Sequence, residues 1–323
     1  MKKVCIVGYG AIGPIHAAAI EKTDNARLWA ICDNVHKKLD ICKEKYDVVC
    51  YSDFEEMLLD KEIDSVHICT PHYLHFEMIK KALAAGKSVV CEKPVTMTKA
   101  EFEELLRLEG ADKVCSVFQN RLNPCFVRLK QIADSGELGK VLSVKAIVTW
   151  CRTAEYYAAD EWRGKWATEG GGVLINQAVH TLDYLCCIGG RSVSVKADMM
   201  NYSLPEIEVE DNCVARVLFE GGAAGIFFAS NSNGTNSPLD FEVVFEKGIA
   251  RYTDAKLYVD KKLEEEDFKP TIGKDYWGRG HETLVRNYYD LNQYLSPFDV
   301  KNTMNTMFAM YESAKQNGSE INI

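Results

Sequence analysis

Residues Val4–Val7 form a short apolar run that ends in Gly8-Tyr9-Gly10-Ala11-Ile12-Gly13, and a second apolar run, Leu28–Cys32, closes on Asp33. An unbroken apolar run of this kind suits a parallel strand buried on both faces. Gly8 permits the tight turn out of the strand. Gly10 lets an anionic group approach the backbone, and Gly13 lets the next helix pack closely. The N-terminus of that helix offers N–H groups and positive dipole to phosphates. Asp33 stands where a carboxylate accepts hydrogen bonds from a ribose. The pattern predicts a dinucleotide site built from Gly8, Tyr9, Gly10, Ala11, Ile12, Gly13 and Asp33. The charge of Asp33 would repel a 2′-phosphate, which favours NAD over NADP. Lys37 and Lys38 follow closely enough to weaken that preference.

The chain has 323 residues, which suits two domains with ample core. Hydrophobic residues make up 47% and charged residues 26%, as in a globular protein. A net charge of −9 argues against a general binder of nucleic acid or anionic membrane. No run approaches the roughly 18 apolar residues of a membrane span. Gly8, Gly10, Gly13 and His16 interrupt the first apolar run, so it does not read as a signal peptide. Cys5, Cys32, Cys69, Cys91 and Cys115 fall in predicted buried strands, where cysteine behaves as a small hydrophobe. A reducing, cytoplasmic location is expected.

Residues 1–120 alternate strand and helix, which predicts an α/β domain with a doubly wound parallel sheet, a Rossmann domain. Strands are expected at Val4–Val7, Leu28–Cys32, Val48–Tyr51, Ser65–Thr70, Ser88–Cys91 and Val114–Phe118. Ser52-x-x-Glu55 and Thr98-x-x-Glu101 read as capping boxes. In residues 121–323, strand-like runs follow one another with short turns. This predicts an α+β domain with an open-faced, largely antiparallel sheet for substrate binding and oligomerisation. Val144, Ala146, Val148 and Trp150 share one face of its first strand, and Lys261–Asp267 reads as solvated surface.

Three further segments carry polar groups where ligands gather. Thr70-Pro71 with His75, and Glu92-Lys93-Pro94, follow the fourth and fifth strands, at the edge where open α/β sheets bind ligands. Gly170-Gly171-Gly172 opens a helix on which Asn176, His180 and Asp183 are spaced i, i+4, i+7, a single face. His67, Cys69, His72 and His75 match no common zinc spacing, and no metal is expected. Tyr156, Tyr157, Trp162, Arg163 and Trp166 read either as a carbohydrate wall or as packing.

The N-terminal glycine motif, Ala85-Gly86-Lys87 before Glu92-Lys93-Pro94, Phe118-Gln119-Asn120-Arg121 and Gly170-Gly171-Gly172…His180-x-x-Asp183 together resemble the glucose–fructose oxidoreductase / inositol dehydrogenase / rhizopine-catabolism (Gfo/Idh/MocA) family. The resemblance covers essentially the whole chain. It implies tightly held NAD or NADP and substrates that are sugars, sugar derivatives or cyclitols, with Lys93 and His180 in the active site. Thr70, Pro71, His75, Glu92, Lys93 and Gln119 then become cofactor-side candidates. Arg121, Tyr157, Trp162, Arg163, Asn176, His180 and Asp183 become substrate-side candidates.

Oxidising a secondary alcohol needs a base for its proton, which suits histidine. It also needs a group that steadies developing alkoxide charge, which suits lysine. Asn176 departs from the inositol-dehydrogenase-like members, which carry an aspartate there. Asparagine orients or binds but does not ionise, so the proton acceptor stays open between His180 and Lys93. The expected activity is hydride transfer between NAD and a secondary hydroxyl or ketone of a sugar, nucleotide sugar or cyclitol, in a homodimer or homotetramer. The alternatives are glycoside cleavage with NAD recycled in place, and a regulatory NAD-binding protein without turnover.

Overall fold

The computed structural model describes residues 1–273 and 278–323. They form two compact units, Met1–Leu122 with Lys269–Val300, and Asn123–Phe268 with Lys301–Ile323. From sequence, everything after residue 120 belongs to the second domain. The structure returns residues 269–273 and 278–300 to the first. A helix shows its apolar face in the sequence but not which core that face will meet. Here Leu284 and Val285 join Val4, Ile6, Ile20, Val90 and Val117 in one buried cluster.

In the first unit, strands β1 (Lys2–Val7), β2 (Ala26–Cys32), β3 (Val49–Tyr51), β4 (Ser65–Ile68), β5 (Ser88–Cys91) and β6 (Val114–Ser116) form a parallel sheet in the order β3-β2-β1-β4-β5-β6. The chain reverses its direction of winding between β1 and β4, which places the ligand crevice at the C-terminal ends of those strands. The apolar run of β1 and every residue of β4, Ser65 and His67 included, are buried. Helices Gly13–Ile20, His36–Lys45, Phe54–Leu59, His72–Ala84 and Lys99–Leu105 connect them. Thr98 and Glu101 form the expected capping box. The other start lies one residue later than expected. Asp53 caps the helix, accepting from Glu56 N–H at 2.8 Å. A carboxylate at a helix N-terminus adds charge to the bond that Ser52 would make.

In the second unit, β7 (Val141–Thr149), β8 (Ser192–Met200), β9 (Asn212–Phe219), β10 (Ala224–Ser230), β11 (Asp240–Phe245), β12 (Gly248–Thr253), β13 (Lys256–Val259), β14 (Lys262–Glu266) and β15 (Ile321–Asn322) form one sheet, ordered β14-β13-β12-β11-β7-β10-β9-β8-β15. Among the described residues, β10 pairs with β7 in parallel and the other neighbours are antiparallel. Val144, Ala146 and Val148 face inward, toward helix Val179–Gly189, while Ser143, Lys145 and Ile147 lie on the half-exposed face. The charge run Lys261–Asp267 is solvated, as expected, and contains the edge strand β14. Exposed charges on an edge strand discourage pairing with other chains. Among the described residues, no helix is long and apolar enough to cross a membrane.

Candidate active site

The turn after β1 has the geometry of a phosphate cradle. Gly8 takes φ +88°, and a Cβ there would press on the Cys69 carbonyl oxygen at 2.8 Å. A Cβ at Gly10 would meet nothing within 4 Å, so the turn presents bare backbone to open space. Asp33 is buried at the end of β2. Its Oδ2 accepts from Tyr9 N–H at 2.7 Å and its Oδ1 from Val35 N–H at 2.9 Å. Lys38 Nζ lies 3.1 Å from Oδ2. Asp33 thus ties the glycine turn to β2 before any ligand is considered. Tyr9 extends the tie, its hydroxyl donating to that of Tyr46 at 2.9 Å. Ala11 and Ile12 complete the turn, and the Ile12 carbonyl accepts the first bonds of helix Gly13–Ile20. An open glycine turn with an acid beside it fits a dinucleotide.

Thr70, Pro71, Glu92 and Lys93 all lie at the C-terminal ends of β4 and β5, as expected. Lys93-Pro94 is a cis peptide. His75, the cofactor-side candidate of the same segment, lies on helix His72–Ala84. It is fully buried, with Nδ1 2.7 Å from the Pro94 carbonyl and Nε2 2.8 Å from the Thr70 carbonyl. Both ring nitrogens face backbone carbonyls, and the ring, kept neutral by burial, donates to one of them. Gln119 is buried in the short turn Gln119–Leu122, and Arg121 in the same turn donates to the Asp299 carbonyl at 3.3 Å.

Sequence reasoning missed a buried polar cluster around Glu92. Its Oε1 lies 3.0 Å from His16 Nε2 and 3.3 Å from His281 Nε2, and its Oε2 accepts from Lys93 N–H at 3.2 Å. His16 Nδ1 lies 2.8 Å from His67 Nδ1, and His67 Nε2 lies 2.9 Å from the Tyr289 hydroxyl. Burial alone would raise the Glu92 carboxyl, but its bonds to the two histidines hold it well below the usual range. Burial keeps His67 and His281 below theirs. His16, Glu92 and His281 are close enough to hold an ion. N–H donors facing a carboxylate already account for that closeness. The cluster joins residues 16, 67, 92 and 281, which no local motif links.

In the second unit, the glycine run is shaped by what presses on it. A Cβ at Gly171 would collide with the Tyr311 hydroxyl, and one at Gly172 with the Glu210 carbonyl. Glu210 is buried, and its carboxylate accepts from Gly172 N–H at 2.9 Å, Leu174 N–H at 3.1 Å and the Tyr311 hydroxyl at 2.9 Å. Desolvation still outweighs these bonds and raises its pKa to about 7.

The expected single helix from the glycine run is two pieces, a π-helical turn Val173–Gln177 and an α-helix Val179–Gly189. Asn176 lies in the first piece, and His180 and Asp183 in the second. Asn176 donates to Glu169 Oε1 at 2.5 Å. His180 lies half-exposed near the start of the α-helix. Asp183 is buried and accepts from the Thr303 hydroxyl at 2.6 Å. Asp183 therefore fastens helix Lys301–Lys315.

Tyr157 is likewise a core residue, packed with Leu204, Ile207 and Val209, its hydroxyl accepting from Asn231 at 3.0 Å. The half-exposed faces belong to its neighbours. Arg163 lies over the rings of Tyr156 and Trp162 at 4.5 and 4.7 Å, and Arg152 over Trp150 and Tyr156 at 5.0 and 5.2 Å.

Residues 2–119 match the family described as "Oxidoreductase family, NAD-binding Rossmann fold", and residues 126–251 match the "GFO/IDH/MocA C-terminal domain". The chain belongs to the Gfo/Idh/MocA oxidoreductase family. It is an NAD-binding oxidoreductase. The uncharacterized oxidoreductase YrbE of Bacillus subtilis is 29% identical over 253 residues, covering 76% of this chain and 72% of that protein. Myo-inositol 2-dehydrogenase of Thermotoga maritima is 28% identical over 255 residues, covering 76% and 73%. The crystal structure of the WlbA dehydrogenase from Bordetella pertussis, in complex with NADH and UDP-GlcNAcA, superposes with a TM-score of 0.90 at 26% identity, covering 100% of this chain and 97% of that one.

Proposed function

We propose that the protein transfers a hydride between NAD and a secondary hydroxyl or ketone of a sugar, nucleotide sugar or cyclitol. The observation that carries the reading is the C-terminal edge of the parallel sheet. The open turn at Gly10, the buried carboxylate of Asp33 and the strand-end residue Lys93 all lie along it. Similarity to an inositol dehydrogenase and to a dehydrogenase crystallised with UDP-GlcNAcA supports the substrate class. So do Trp150, Tyr156 and Trp162, whose rings carry the guanidinium groups of Arg152 and Arg163. Flat aromatic faces and fixed N–H donors suit the ring and hydroxyls of a sugar.

When bound, NAD supplies the hydride acceptor for alcohol oxidation. The residues of the chain handle the oxygen and its proton. Lys93 donates a hydrogen bond to the reacting oxygen and stabilises its developing negative charge. His180, in its neutral form, accepts the hydroxyl proton. Asn176 orients the substrate or His180. Reduction runs the same transfers backwards. Twelve cysteines carry free thiols, most of them buried, which suits a reducing cytoplasm.

The test is incubation with NAD and a panel of sugars, cyclitols and nucleotide sugars, followed by absorbance at the NADH band and product analysis. NADH formation with a keto product supports the reading. A cleaved glycoside without free NADH indicates recycled cofactor. NAD binding without turnover on any compound indicates a regulatory protein.

A further inference from the structure

We propose that Glu210 is a positioning residue for Asn176, holding the π-helical turn closed while it keeps its proton and releasing the turn when that proton passes to water. The proposal rests on the reading of Asn176 as a group that orients the substrate or His180. A helix begins with backbone N–H groups that have no partner within it. At the turn Val173–Gln177, residues far along the chain take these groups up one after another. Gly172 N–H donates to Glu210 Oε2 at 2.9 Å, Val173 N–H to the Glu210 carbonyl at 3.0 Å and Leu174 N–H to Glu210 Oε1 at 3.1 Å. Ile175 N–H meets the Tyr311 hydroxyl, which itself lies 2.9 Å from Glu210 Oε1. The hold passes on to Asn176, whose N–H donates to the Gly172 carbonyl at 3.1 Å.

The hold is made by neutral donors. Glu210 is buried. The titratable groups that face it are Tyr311 from helix Lys301–Lys315, Tyr157 from the short helix Ala154–Ala158 and Cys213 from β9, and burial keeps all three protonated. Burial penalises the Glu210 charge more than these donors stabilise it, so the closed turn favours the protonated carboxyl, which titrates at about 7. Opening the turn returns the carboxyl to water, where its ordinary value is 4.5. Between the two values, each pH unit shifts the balance toward the open turn by up to about tenfold. The opening is local, because the closed turn lies just beneath the surface. Tyr311 packs edge-on against Trp166 at 5.9 Å, and Trp166 is exposed.

The experiment follows backbone amide exchange by NMR in the full-length protein with NAD, expressed as protection factors between about pH 5 and about pH 8. Protection of Gly172 and Leu174 falls roughly 10–100-fold across that range, while that of Val144 in β7 holds within roughly threefold. In Glu210→Gln the protection of Gly172 and Leu174 no longer follows pH. Where that variant does not fold, Tyr311→Phe makes the same test, since loss of one donor moves the fall in protection to higher pH. With a substrate in hand, wild-type kcat declines as pH rises through the Glu210 titration, and Glu210→Gln lacks that decline. NAD affinity stays within roughly threefold throughout, since the glycine turn is untouched. Protection at Gly172 and Leu174 that does not follow pH in the wild type overturns the proposal. So does an equal fall at Val144, which would make Glu210 a determinant of global stability alone. Exchange that follows pH while kcat does not overturns the positioning role. A wild-type protein that turns over nothing overturns the dehydrogenase reading and leaves amide exchange to decide whether Glu210 holds the turn.

Discussion

Asn176 donates its side-chain amide to the buried carboxylate of Glu169 at 2.5 Å, and that bond fixes which way the amide faces. A carboxylate only accepts, so the NH₂ end must point at Glu169 and Oδ1 must point away as an acceptor. The resemblance read from the sequence implies an aspartate at this position in inositol-dehydrogenase-like members. Here the charge sits one hydrogen bond further back, on Glu169.

Asn176→Asp would set two carboxylates against each other in a half-buried site, so one must hold a proton. Turnover is expected to fall, although the variant restores the acid of those relatives. The raised pKa belongs to the folded state, so the variant loses stability as pH rises through it. Melting temperature relative to wild type should therefore drop from about pH 5 to about pH 8. A parallel pH profile for the two proteins counts against the Glu169–Asn176 account.

Cofactor choice turns on Asp33, but the structure gives that residue a second duty. It accepts from the N–H groups of Tyr9 and Val35. Asp33→Ala should narrow the preference for NAD over NADP and also lower unfolding free energy by roughly 1–3 kcal/mol, the cost of leaving buried donors without their charged acceptor. Lys38→Ala should act in the other direction, because Lys38 offsets the Asp33 charge. Fluorescence titration with both cofactors and chemical denaturation separate the two effects. Equal affinity of the wild type for NAD and NADP removes the argument.

Glu210 should make the protein less stable as pH rises through the neutral range. Its carboxyl titrates near 7 when folded, against an ordinary value of 4.5. Between those values the folded chain binds the proton that the unfolded chain has released. Stability from this group is present below the lower value and is lost by the upper one. Glu210→Gln keeps the shape and removes the charge, so its melting temperature should gain on wild type between about pH 5 and about pH 8. A constant difference across that range would mean that Glu210 does not titrate there.

The first sheet was legible because burial on both faces leaves no ambiguity. Every residue of Val4–Val7 must be apolar, and each turn must carry its glycine or cap. Gly10, Asp33 and Lys93 could be placed for the same reason. Their roles follow from where a strand ends. The π-helical turn was not legible, because nothing in Val173–Gln177 distinguishes a wide turn from a regular one. The residues that hold its start are distant in sequence, Glu210 accepting from Gly172 and Leu174 N–H. The partners of Asn176 and Asp183 were hidden in the same way. Glu169 and Thr303 are ordinary polar residues until the fold brings them near. His281 shows the limit most clearly, since its partner Glu92 lies 189 positions earlier in the chain.

The open face of the second sheet should mediate self-association. Val214 and Ile226 are 42% and 49% exposed, with Ile147 and Phe228 half-buried among them. The register brings Ile147 beside Phe228 and Phe228 beside Val214. Such a row is costly to leave in water. A homodimer or homotetramer is expected, and Ile226→Glu combined with Val214→Lys should shift it to monomer. Sedimentation showing wild-type monomer alone at micromolar concentration contradicts the expectation.

The roles of Lys93 and His180 can be separated from cofactor binding. The cradle at Gly10 is backbone, and Lys93 follows a different strand. Lys93→Ala should leave most of the NAD affinity while lowering turnover by several orders of magnitude, because the lost interaction is strongest in the transition state. His180→Ala should lower turnover by roughly 10²–10⁴-fold, the span for losing a positioned base. Only neutral imidazole accepts a proton. Oxidation by the wild type should therefore slow as pH falls through the histidine pKa, and His180→Ala should lose that acid limb. The profile also distinguishes the two candidates for the base. If His180→Ala turns over near the wild-type rate with the acid limb intact, the proton goes elsewhere, and Lys93 becomes the acceptor. In that case Lys93→Arg, which stays protonated across the accessible range, should be as inactive as Lys93→Ala. If His180 is the base, Lys93→Arg should retain part of the activity, since a guanidinium still donates to the reacting oxygen.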